Sequence, residues 1–203
     1  MSATAAPFGL KPVKRVDGQP FTGARREYLI DPAGHAANIF NGSVVSVNSS
    51  GYLALVTTVG SAAAPFPAGT VGVFVGCEYV NSLGYLVHSQ YYPGGTVAPT
   101  GTKIKAYVVD DPMMLFRVQC EGSLAQTALG QNAYLANAQS TSTGSTMTGN
   151  SNVALDSTTE VTANAAFRIV EFVDDTRNAV GDSFTEVLVK FNPIHAMTNA
   201  TGI

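Results

Sequence analysis

Three histidines, two cysteines and two adjacent acidic pairs are the side chains in this sequence with most chemistry to offer. His35, His88 and His195 lie far apart. None has a second histidine at i+2 or i+4, or a cysteine at zinc-ligand spacing. His88, flanked by Leu86 and Ser89 in an alternating stretch, reads as an ordinary hydrogen-bonded side chain. Asp110–Asp111 and Asp174–Asp175 do not suit a glycosidase, which needs two carboxylates facing each other across a sugar. Neighbouring residues on a strand point to opposite faces. Both pairs also fall in turn-like stretches, where aspartate is favoured for its hydrogen bonds to backbone. Asp174, Asp175 and Asp182 are hard oxygen ligands of the kind calcium takes, but their spacing is not that of an EF-hand. Cys77 and Cys120 belong to no CxxC pair and sit in apolar contexts, which points to buried free thiols. There is no GxSxG, no Walker loop and no GxGxxG opening a helix. The expectation is a chain without catalytic residues, cofactor or metal.

The elements that would position these residues look like β-structure throughout. In "VGVFVGCEYV", residues 71–80, Val71, Val73, Val75, Cys77 and Tyr79 alternate with Gly72, Phe74, Gly76, Glu78 and Val80. That is a strand with period 2, one of whose faces is half glycine. Glycine in a strand marks a bend, a bulge or a close backbone approach. Around it, "SVVSVN" and "YLALVTTV" flank a Gly-containing turn and form one hairpin. "NSLG" at 81–84 joins residues 71–80 to "YLVHSQYY" in a second. "KIKAYVVDD" and "MMLFRVQC" form a third pair about the turn at Asp110–Asp111–Pro112. "AAFRIVEFVDD" and "SFTEVLVKF" form the last. Short strands at this spacing predict a mainly β protein, with small barrel or sandwich modules. Glycine would then serve the coiling of a tight barrel. Residues 122–138, rich in Ala, Leu and Gln, predict one short helix with Ser123 as its cap.

Three segments follow from punctuation and charge. Residues 1–30 carry Pro7, Pro12 and Pro20 between Gly9, Gly18 and Gly23 and read as an extended arm. Residues 31–120 form a β-barrel-like module, and residues 121–203 a second, smaller β module. Within the latter, 139–152 is a polar loop expected to point outward. Only 12% of residues are charged, against about 25% in typical domains, so little like-charge repulsion keeps neighbours away. The formal net charge is -3, unevenly spread. Residues 1–26 hold Lys11, Lys14, Arg15, Arg25 and Arg26 against Asp17 alone, and the rest of the chain is acidic. A basic arm on an acidic body points to an acidic partner, either nucleic acid or an acidic protein surface. "MSATAAPFGL" has no charged start followed by an apolar run, so no signal peptide is expected. No apolar run has the length of a membrane helix.

Five phrases carry a resemblance: "APFGLKPV", "VGVFVGCEYV", "GSLAQTALGQNAYL", "FRIVEFV" and "NAVGDSFTEVLVKFNPIHA", in that order. In these the chain resembles a family of virion structural proteins of short-tailed bacteriophages, the capsid decoration or cement proteins. The resemblance implies a non-enzymatic protein on the outer surface of an icosahedral head. It implies binding to the major capsid protein as a homotrimer at threefold positions, with no membrane and no direct nucleic acid among its partners. It carries no site residues. The residues expected to make protein contacts come from the arm: Phe8 and Leu10 as apolar anchors, with Lys11, Lys14, Arg15, Arg25 and Arg26 meeting acidic groups. A tail or tail-fibre-associated β protein is the alternative. A carbohydrate-binding module is a remoter one, for which Tyr79, Tyr85, Tyr91 and Tyr92 are the available stacking residues.

Overall fold

The computed structural model describes residues 4–158, 165–173, 175–176 and 178–203. The chain is mainly β, in two antiparallel sheets that share a core. Sheet I has the order β1 (Lys11–Arg15), β8 (Met114–Gln119), β11 (Glu186–Phe191), β10 (Phe167–Phe172), β9 (Asn132–Ala133). Sheet II has the order β2 (Arg26–Ile30), β7 (Ile104–Val109), β5 (Thr70–Val80), β3 (Val44–Val47), β4 (Leu53–Leu55), with β6 (Leu86–Ser89) on the far half of β5. Between the sheets, Val44, Val73 and Val109 of sheet II meet Phe116, Val118, Ile169, Val187 and Val189 of sheet I. Rings tie this core together. Phe167 lies 4.9 Å from Phe191 and 5.7 Å, edge to face, from Phe66. Such ring pairs add about 1 kcal/mol beyond their buried area.

Sheet II buries its other face as well. Val45, Phe74, Cys77, Ile104, Ala106 and Val108 form a second core under Ile39 and Tyr92. Those two residues exchange backbone hydrogen bonds at 3.1 and 2.8 Å, which fastens the covering loops. The edge strands β2 and β4 approach each other, but no ladder joins them, so both sheets remain open and neither is a closed barrel.

The glycines of β5 have a different purpose from barrel coiling. On β5, pairing skips a residue at Val71, between Thr70 and Gly72, and again at Val75, between Phe74 and Gly76. Each skip is a bulge, and each resets which side chain faces which way. Val71 therefore joins Phe74 and Cys77 in the second core, while Val73 packs into the shared core. The simple alternation expected for 71–80 is broken twice. Gly72 takes φ 152° and Gly76 φ 145°. A Cβ on Gly72 would stand 2.1 Å from the Val109 carbonyl oxygen.

Several expected boundaries dissolve in the pairing. The arm is woven into the body, because β1 belongs to sheet I and β2 to sheet II. Residue 121 separates no sheets, since β8 before it pairs with β11 beyond it. The expected pair of β7 and β8 is instead a crossover from sheet II to sheet I. The predicted helix shrinks to a 3-10 turn at Gln126–Ala128. Gly130, at φ 80°, ends it, and residues from Asn132 already pair with β10. The hairpins β3–β4, β5–β6 and β10–β11 form as expected. The 139–152 loop is tied down at its roots. Gln139 is buried, accepts from Val44 N–H at 2.8 Å and donates to the Val44 and Val56 carbonyls. Beyond Gln139, residues 140–142 and 145–148 are exposed, Met147 most of all.

Candidate functional site

Two crossovers join the sheets and lie side by side: residues 16–25 between β1 and β2, and residues 110–113 between β7 and β8. Asp110 and Asp111 stitch them together. Asp110 accepts from Arg26 at 3.1 Å and from the Tyr28 hydroxyl at 2.9 Å. Asp111 lies 3.3 Å from the Arg15 guanidinium, which Asp17 also approaches at 3.6 Å. The consecutive carboxylates thus serve one strand of each sheet. Burial, reinforced by the hydrogen bond to Asp110 and its charge, pushes the Tyr28 hydroxyl up to about 12. Arg25 stacks 4.1 Å over the Tyr107 ring. Three of the arm's five cations are therefore engaged at or beside the crossovers. Leu10 is also removed from the surface, because it is fully buried in the shared core.

Lys11 and Lys14 have a different setting. Directly opposed residues of an antiparallel pair project to the same face. Lys11 stands opposite Arg117, and Lys14 opposite Leu115. Since Phe116 and Val118 point into the core, this is the outer face of sheet I. Arg168 and Lys190, directly opposite each other on β10 and β11, share that face. Glu171 and Glu186 are the carboxylates on these strands. Lys14 pairs with Glu171 at 2.7 Å, and Arg117 pairs with Glu186. Lys11 sits 4.7 Å over the half-buried Phe8 ring. No carboxylate among the described residues pairs with Arg168 or Lys190. An acidic chain therefore presents one basic sheet face. Charge clustering along the sequence does not single out Arg117, Arg168 and Lys190, because they come from three separate strands.

A second surface is the hairpin of β5 and β6. It extends past the end of β7, whose pairing with β5 stops at Glu78. Asn81 closes its turn by accepting from the Leu83 and Tyr85 amides, both at 3.0 Å. The tip carries Leu83, Tyr85 and Leu86, which are 76%, 67% and 58% exposed. At its base Glu78 accepts from Tyr107 at 3.0 Å and lies 3.5 Å from His88.

The other chemistry-bearing residues stay apart. His35 is partly buried and accepts weakly from Leu55 N–H at 3.5 Å. His195 is buried, takes the Met197 amide on Nδ1, and has its basicity lowered by burial. Cys77 and Cys120 are free thiols in different cores, both pushed up to about 12, foremost by burial. Asp174 of the calcium candidate lies outside the described residues, while Asp182 accepts from the Ala179 amide at 3.1 Å. Among the described residues no cluster of His, Cys, Asp or Glu could hold a metal ion, and no helix is long and apolar enough to cross a membrane.

Fold and surfaces together define an open two-sheet β-sandwich with one basic face and one projecting apolar hairpin. A scan of protein-family models, a search of curated proteins and a search of solved structures each found no match to the chain.

Proposed function

We propose that the protein is a non-enzymatic structural component of a virion. It binds the outer surface of an icosahedral capsid as a homotrimer and stabilises contacts between major capsid protein subunits. The ordered sequence phrases resembling phage decoration proteins support the choice of partner. The structural observation that carries the reading is the β5–β6 hairpin. Single exposed apolar residues are ordinary, but three large ones on one short, rigid turn mark a contact surface. A turn fixed by Asn81 loses little entropy on docking, which favours binding. Many copies around a shell then act together through multivalency.

The test combines mass and binding. Light scattering gives the mass of the purified protein, and sedimentation follows it when mixed with heads that lack it. Saturation at a fixed ratio is expected. Leu83→Asp with Leu86→Asp is expected to melt at an unchanged temperature yet fail to decorate. A wild-type protein that stays in the supernatant would overturn the reading.

A further inference from the structure

Along β10, on the outer face of sheet I, runs a cleft of about 310 Å³. Its walls are the exposed Val16 and Leu129 with Gly130 and Val170, and its cations are Arg168 and Lys190. The two cations are a directly opposed cross-strand pair. Like charges in that position destabilise a sheet. Four other cations have carboxylates: Lys14 has Glu171, Arg15 has Asp111, Arg26 has Asp110 and Arg117 has Glu186. Among the described residues Arg168 has only an amide oxygen, that of Asn132 at 3.3 Å. Lys190 has no ion pair among the described residues.

We propose that this cleft receives an acidic segment of the capsid subunit, with a carboxylate held between Arg168 and Lys190 and a neighbouring apolar side chain against Val16, Leu129 and Val170. A bound carboxylate converts the repulsion into two charge-assisted hydrogen bonds. The apolar walls decide between anionic partners. They suit a side chain better than a sugar-phosphate backbone, which would leave Val16 and Leu129 facing water or polar atoms. Val170 lies where the β10–β11 register shifts, and such a bulge re-aims a side chain. That the segment belongs to a capsid subunit rests on the function proposed above. The acidic-apolar chemistry of the cleft does not.

The experiment uses the full chain and two probes. One is a fluorescent peptide alternating Glu and Leu, read by anisotropy over a salt series. The other is heads lacking the protein, read by sedimentation. Wild type is expected to bind the peptide more weakly as salt rises. Lys190→Glu, which places a carboxylate opposite Arg168, is expected to reduce peptide affinity by about tenfold or more. Its melting temperature is expected to stay level or rise. That combination separates a binding role from a structural one, because a merely structural lysine would lose both together. Peptide binding by wild type with no uptake by heads would sink the capsid reading and leave the cleft standing. The cleft is overturned if peptide affinity is unchanged in Lys190→Glu, if no salt-dependent binding occurs at millimolar peptide, or if labelled single-stranded DNA of equal charge binds more tightly than the peptide.

Discussion

The crossovers between the sheets and the outer face of sheet I both concentrate cations, and they use them in opposite ways. At the crossovers Arg15 and Arg26 each meet a carboxylate of the same chain, and the result is a brace. On the outer face Arg168 and Lys190 meet each other. Satisfied charges hold a fold together, whereas charges left opposed cost stability unless something outside the chain answers them. Charge density alone does not separate the two cases. The most cationic stretch of the sequence supplies the brace, and the more available charges come from isolated positions on β10 and β11.

The comparison can be broken most severely from behind the brace. A Cβ at Gly72 would strike the Val109 carbonyl oxygen and come within 3.1 Å of the Asp110 Cα. Gly72→Ala is expected to destabilise by about 3 kcal/mol, through backbone strain and displacement of the aspartate turn. Urea unfolding measures this, and a loss under about 1 kcal/mol would show that the turn yields freely.

Next comes the brace itself. Asp110→Ala removes the acceptor for both Arg26 and Tyr28 and is expected to cost about 2 kcal/mol. Lys190→Ala on the outer face is expected to stay within about 0.5 kcal/mol of wild type. Equal losses in the two variants would erase the distinction drawn above.

A smaller effect is expected at alkaline pH. The Tyr28 proton is held up to about pH 12 in the fold, against 10 for an ordinary tyrosine. The stability this represents is complete below pH 10 and fades as pH rises towards 12. Cys77 and Cys120, also raised to about 12, act in the same direction. Tyr28→Phe should therefore flatten part of the fall in unfolding midpoint across that window, and an unchanged slope would count against the Tyr28–Asp110 bond. The smallest expected effect is a gain of up to about 1 kcal/mol in Lys190→Glu, from a new cross-strand ion pair.

The mainly β architecture is legible in the sequence because alternation and turn residues are local signals. They mark β3 to β6, β10 and β11 without knowledge of the rest. What pairs with what is not local. "VVDDPMM" reads as a hairpin turn, yet it carries the chain from one sheet to the other, which only the positions of β1 and β2 explain. The arm reads as an extended segment lying across a surface, with a strand only near residues 24–30, because edge strands are polar and broken by proline, as β1 is with Lys11, Pro12 and Lys14. Leu10 reads as an anchor for a partner, but nothing in its neighbours tells an outward leucine from one closing the core. The glycines at 72 and 76 do signal special backbone. Their place beside two bulges, which bring Val71 and Cys77 into the second core with Phe74, needs the register. Of the expected contact residues, Lys11 and Lys14 do lie on the basic face. Arg168 and Lys190 leave no mark, since opposition across β10 and β11 cannot be read along the chain.

The most direct measurement is lysine-reactive footprinting of the protein free and on decorated heads. Labelling is normalised to a lysine-containing peptide added equally to both samples. Lys190 is expected to lose reactivity on heads. Undiminished labelling of Lys190 on fully decorated heads would contradict the account.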